Sequence, residues 1–468
     1  MKLKSMATVR FISYSLGIFF QIGTILLLTT KLEIYQFGVW GVATSFVYII
    51  STFTQLSYLQ HIEKYFPNYD DFNSKLYLVK YFKTILYLFP VAFSFLFVIS
   101  KYDFFTKFNI KNLNYLLIMI AFWSIIESLL ALFDAYFLSK GKSQVYDKLD
   151  LLLYKAPKFL VFYLLLEYKF SVFYLIFVSI LFRIFLFFLL ILYEYKKLKN
   201  LKNYLKENSV FENNFRDLRY NIFAFSNDII YQSFLNILFL MVTIYSEVID
   251  IAHYSIVIII INNLRPLLNS IQSVLTPFIS NSLHLKFNNE KTIINIKFFN
   301  QLLISLVIFS CLLVAENELL ITYFFNDYFD GINKLIFISV FSSTLRSIYF
   351  AKYINLLFSN FEKILLVFNL FNSISVISLY LFMFNVNEIN FTYFYMLYEI
   401  NYIIFVNVIK KDKFNVLKIL SNSCWLYFFT LSVSILYIFN KLEPAYLFLF
   451  PILLFVDFKR KKIGKLIF

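Results

Sequence analysis

Arg10, Tyr14, Gly17, Gln21 and Thr24 recur every three to four residues, so one helix face would carry a guanidinium, a phenol, an amide and a hydroxyl. Arg265, Asn269 and Gln272 repeat the pattern farther along, and Arg183 and Arg346 stand inside two other apolar stretches. An ionisable group at membrane depth faces a cavity or a partner. Guanidinium is permanently charged and forked, which suits phosphate oxygens. Arg10, Tyr14, Gln21, Arg183, Arg265, Asn269 and Arg346 are therefore expected to line a cavity for an anionic substrate. The alternative for Arg183 is a pair with Glu127 that only fixes helix packing. Asp228, Gln232 and Asn236 follow at i, i+4 and i+8. Their carboxylate and amide oxygens are expected to hold Na⁺ or relay a proton, with Glu127, Asp134 and Glu399 as further carboxylates. The alternative for Asp228 is a hydrogen bond near the start of its helix. Lys155 and Lys158 flank Pro157 and are expected to snorkel to the membrane surface.

The elements that hold these residues are apolar runs of about 20 residues, the length of a helical span. They fall at 8–30, 38–60, 77–100, 113–138, 149–166, 171–193, 220–245, 251–275, 296–315, 332–358, 364–385, 390–409, 419–439 and 445–457. The last is short and contains Pro451, so the expectation is 12–14 spans: an all-α, polytopic transmembrane bundle. Composition agrees, with 60% hydrophobic and 15% charged residues and a mean hydropathy of +0.72. The run 8–30 is too long for a signal peptide and reads as the first span. Cys311 and Cys424 lie inside apolar runs, and His61, His253 and His284 are scattered, so neither a disulfide framework nor a metal site is expected.

A net charge of +15 raises the question of nucleic acid, but the cations do not cluster on a hydrophilic module. They alternate instead. Every second gap is rich in lysine; these gaps hold about 28 Lys and Arg against about six in the others. The expectation is cytoplasmic N- and C-termini. The longest gap, 194–219, is basic and is expected to meet anionic lipid headgroups. No opposite-side gap is long enough to fold into a catalytic domain, which argues against an enzyme.

The connector 194–219 divides the chain into 1–193 and 220–418, six spans each, followed by a hairpin and basic tail at 419–468. Glu33-Ile34-Tyr35-Gln36-Phe37-Gly38 and Glu247-Val248-Ile249-Asp250-Ile251-Ala252 stand at corresponding points, about 214 residues apart. Phe137-Leu138-Ser139-Lys140-Gly141 and Leu357-Phe358-Ser359-Asn360-Phe361 match at about 220. Two parallel six-helix lobes around a central cavity, rocking in alternating access, are expected.

At Phe37-Gly38-Val39-Trp40-Gly41-Val42-Ala43, Glu247 to Tyr254, Gln272 to Ser280, Phe325 to Ile332 and Ser359-Asn360-Phe361-Glu362-Lys363 the chain resembles the polysaccharide (O-antigen) flippase branch of the multidrug/oligosaccharidyl-lipid/polysaccharide exporter superfamily. Two positions depart from that pattern, Ala252 and Asn326 standing where glycine is usual. The resemblance implies a transporter without cofactor that moves a polyprenyl-diphosphate-linked oligosaccharide across a bacterial inner membrane. It implies Na⁺ or H⁺ as coupling ion and a glycan polymerase or other assembly proteins as partners. The competing expectations are a multidrug exporter of the same superfamily and a membrane polysaccharide polymerase.

Overall fold

A computed structural model describes residues 3–55, 58–99, 113–198, 215–273, 290–316, 332–358, 361–384 and 391–409, together with 433, 434 and 438. The hairpin expected at 419–468 lies almost wholly outside them. Helices take both ends of the expected connector, and its middle, 199–214, also lies outside.

Among the described residues there is no strand. In lipid every backbone amide and carbonyl must find its partner within the segment, so long apolar runs become helices. The N-terminal half contains α1 (Leu3–Lys31), α2 (Ile34–Thr54), α3 (Tyr58–Tyr65), α4 (Asp71–Tyr87), α5 (Phe89–Ile99), α6 (Leu113–Ser139), α7 (Ser143–Asp150), α8 (Ala156–Glu167) and α9 (Val172–Leu198). The C-terminal half contains α10 (Phe215–Tyr245), α11 (Val248–Ser273), α12 (Glu290–Ala315), α13 (Asn333–Phe358), α14 (Glu362–Phe384) and α15 (Phe391–Ile409).

Helices stand at each of the first twelve expected spans, and eight of the helical stretches are long and apolar enough to cross a membrane. The chain is a multi-pass membrane protein. Of the other four positions, the fifth is divided by a turn into short helices and the ninth holds a shorter apolar stretch, Ile304–Ala315, while the tenth and twelfth bury polar side chains inside the protein. Ser339, Ser342, Ser343, Thr344, Arg346 and Ser347 of α13 are all buried, as is Glu399 of α15, so their polarity faces protein. Four of these hydroxyls bond within the helix, as where Ser342 donates to the Ile338 carbonyl (2.6 Å) and Ser347 to that of Thr344 (2.8 Å).

Breaks follow local chemistry. Pro90 has no N–H to donate, and the third span divides at Leu88 into α4 and α5. After α6 the chain reverses through Gly141 at φ 67°. The Lys142 amide donates to the Phe137 carbonyl (2.7 Å) and the Gly141 amide to that of Leu138 (3.0 Å), a Schellman closure. Between α7 and α8 the ladder widens into a π-helical turn, Leu151–Lys155, with Pro157 just beyond it.

One apolar core runs through both halves, joining Trp40, Phe46 and Leu117 to Phe234, Ile256 and Tyr402. The halves meet mainly where α11 packs on α1 and α2 and α10 packs on α2. The tightest point is Gly41. A Cβ there would overlap the Ser255 hydroxyl and lie 3.1 Å from its Cα, so only glycine lets α2 and α11 approach this closely. A second core, inside the N-terminal half, gathers Ile62, Phe66, Phe133, Tyr136 and Leu186.

Candidate functional site

The polar stripe of α1 divides between two environments. At one end Arg10 is buried, donating to both carboxylate oxygens of Asp134 (3.0 Å each) and to Asp147 (3.4 Å). At the other end Gln21 and Thr24 face a cavity of about 330 Å³. Gly17 lies between them because a Cβ there would come within 2.7 Å of the Lys155 side chain.

The π-helical turn places Tyr154, Lys155 and Lys158 on the inner face. The expectation that both lysines snorkel outward is overturned. Lys155 is bonded to Asp150 (2.9 Å), and Lys158 lines the cavity. The wide turn adds a residue to the helix and so rotates α8 by about 100° relative to a continuous α-helix. A pairing across helices then completes the wall. Arg183 donates from Nε to Glu127 and from a terminal nitrogen to Asp150 (2.7 Å each), and its guanidinium lies 3.6 Å from the Tyr154 ring centre. Glu127 also accepts from the Trp123 indole (2.9 Å). Arg183 and Glu127 therefore line the cavity as a pair.

Lys158 is different. Its ammonium sits 5.5 Å from the Trp40 ring centre and 5.1 Å from those of Tyr154 and Phe162, and donates to the Tyr154 hydroxyl (3.2 Å). Among the described residues it is the cavity-lining cation with no carboxylate partner. Most of the remaining lining is neutral: Trp40, Thr44, Tyr48, Ser51 and Gln55 from α2 and the residue after it, and Ile259, Asn262 and Asn263 from α11. Asn262 donates to Asn236 (3.1 Å), while its own amide oxygen is buried without a partner. Pro266 removes the helical donor to the Asn262 carbonyl, so the backbone is polar here too.

The C-terminal half holds a separate buried cluster. Arg346 donates to Gln232 (2.7 Å), stacks 3.8 Å from the Tyr231 ring centre and lies 3.9 Å from Glu399, which accepts from the Tyr349 hydroxyl. Arg265 donates to Tyr395 (2.7 Å), with its other two guanidinium nitrogens buried and unpartnered. Arg265 and Arg346 are not among the residues lining the cavity. The side chains of Asp228, Asn269 and Gln272 lie outside the described residues.

Of the expected substrate residues, then, Gln21 and Arg183 face the cavity, Tyr14 receives a bond from Arg10 (3.3 Å), and the other described arginines are held in buried networks. Sequence reasoning missed Lys158, Trp40, Trp123 and Asn262–Asn263. A signal for the last existed: two adjacent amides interrupt the apolar run Ile256 to Ile261 just before Arg265 and Pro266.

No protein-family profile and no curated protein matches this chain. Solved structures do. A transporter of the MOP superfamily from Pyrococcus furiosus, whose binding pocket is described as having reverse polarity suggesting a different function, superposes with a TM-score of 0.53 at 10% identity. The match covers 87% of this chain and 94% of that one. A MATE crystallised in complex with MaL6 gives 0.51 at 8% identity, covering 87% and 95%. The chain has the fold of these transporters.

Proposed function

We propose that this protein is a flippase that carries a polyprenyl-diphosphate-linked oligosaccharide, an O-antigen or capsule repeat unit, from the inner to the outer leaflet of a bacterial cytoplasmic membrane. The observation that carries the reading is the cavity between the halves. Indole faces can stack on sugar rings, while amides and hydroxyls replace water around sugar hydroxyls. Gln21, Gln55, Asn262 and Asn263 supply the amides, and Trp40 and Trp123 the rings. Two six-helix lobes, 1–193 and 220–418, rock about this site, and the lysine asymmetry puts both termini in the cytoplasm. The basic segment 194–219 rests on anionic lipid, and a glycan polymerase receives the product.

Transport is driven by an ion gradient. The cluster Gln232–Arg346–Glu399–Tyr349 supports a proton as the coupling ion, since a carboxylate between a guanidinium and a phenol can exchange a proton without a cage of oxygen ligands. Asp228, Asn236 and Glu127 complete the coupling candidates.

In cells, loss of the protein should strip glycan from the surface and leave lipid-linked repeat units on the inner leaflet. Unchanged surface glycan would contradict the reading. Multidrug export is the second reading, and one observation favours it: Arg183 in the cavity wall is neutralised by Glu127 and Asp150, which weakens repulsion of cationic compounds. Sensitivity to such compounds with normal glycan in the same knockout would select it.

A further inference from the structure

We propose that Lys158 is the anchor for the anionic group of the transported molecule, a phosphate ester seated against Trp40. The proposal deepens the transport reading and rests on it. Three other cations of the N-terminal half, Arg10, Lys155 and Arg183, have carboxylates within 3.4 Å. Their charges are spent inside the protein. Lys158 lines the cavity, and among the described residues its ammonium meets three rings and one phenol hydroxyl and no carboxylate.

An ammonium at membrane depth without a counter-ion is costly. Three aromatic faces offset part of that cost, because each ring quadrupole attracts a cation. They cannot neutralise it. An entering anion can, and it finds a compact point charge with N–H donors beyond the single bond to Tyr154. The π-helical turn Leu151–Lys155 fixes that charge at the wall, and Tyr154 holds it from the side. Trp40 packs against Trp123 at 5.7 Å between ring centres, which gives the apolar or sugar portion of the ligand a second face. The anchor is thus one lysine rather than the set of arginines, and a ligand needs one phosphate beside a group that stacks.

The test uses the full-length protein in nanodiscs and the intrinsic fluorescence of Trp40, 5.5 Å from the ammonium. Three probes are titrated: geranylgeranyl phosphate, its neutral alcohol geranylgeraniol, and inorganic pyrophosphate. The wild type should bind the phosphate at least about tenfold more tightly than the alcohol, the scale expected for a desolvated charge pair. Lys158→Gln should bring the two within about threefold, and Lys158→Arg should restore the preference. A preference undiminished in Lys158→Gln would overturn the anchor. So would equal binding of phosphate and alcohol by the wild type, a comparison that needs no variant to fold. Pyrophosphate binding as tightly as geranylgeranyl phosphate, and losing affinity in Lys158→Gln, would support the anchor while overturning the lipid-linked substrate.

Discussion

Asp150 shows what a buried charge does in this protein. It holds Lys155 at 2.9 Å and Arg183 at 2.7 Å, so removing it strands Lys155 and leaves Arg183 with Glu127 alone. Asp150→Asn is expected to destabilise the protein by about 3–5 kcal/mol, read as a fall in melting temperature in detergent. Lys158→Gln strands nothing and should cost less than about 1 kcal/mol, and equal losses in both would contradict the network. The stripe on α1 was legible because its period is local. Its partners were not, because Asp134 and Asp147 lie 124 and 137 residues away and only tertiary packing pairs them with Arg10. His61, just beyond the second span, gives a pH prediction. Its ring accepts or donates a bond at Tyr81 (2.8 Å) and sits among Tyr65, Phe66, Tyr69 and Tyr77. Burial, with Lys64 close by, pushes its pKa down to about 4. As pH falls below about 6.5 the unfolded chain takes up a proton that the folded chain refuses until near 4, so up to about 3 kcal/mol is lost across that window. His61→Gln should flatten the stability profile between those pH values; an unchanged slope would exclude His61 as its source.

The break at Leu88, before Pro90, fell inside a run read as continuous, 77–100, while helix positions were legible from apolar run length. The π-helical turn was not, since Leu151-Leu152-Leu153-Tyr154-Lys155 has no composition that distinguishes it from an α-helix. The sequence reading sent Lys158 to the membrane surface because a long lysine stem can snorkel, and nothing in the residues around it spoke against that. Inserting one alanine after Leu152, which is exposed on the outer face, should turn the segment that follows by about 100° and carry Lys158 off the cavity wall. The expected outcome is a folded protein by size-exclusion chromatography that has lost binding of geranylgeranyl phosphate. Retained binding would mean that the turn does not position Lys158. The α2–α11 contact offers a second element test. Gly41→Ala should destabilise the protein by about 1–3 kcal/mol through overpacking, and Ser255→Gly should recover part of the loss. Strict additivity of the two would mean that the pair is not in contact.

At the scale of the whole molecule, the charge alternation and the two motif offsets led to the expectation of two lobes around a cavity, but not to the cavity's lining, because its wall combines α1, α2, α6, α8, α9 and α11. The expected orientation rests on lysine placement alone. A cysteine at Glu33 should react with a membrane-impermeant thiol reagent in intact cells, and one at Lys142 should not; the reverse would invert the topology. Movement of a lipid-linked glycan through the cavity can be followed by reconstituting the purified protein in proteoliposomes with a short-chain prenyl-diphosphate oligosaccharide and measuring exposure of the glycan to an impermeant lectin under an imposed proton gradient. Protein-dependent translocation that rises with the gradient and falls at least about tenfold in Lys158→Gln is the expected result. Translocation no faster than in protein-free vesicles would contradict it.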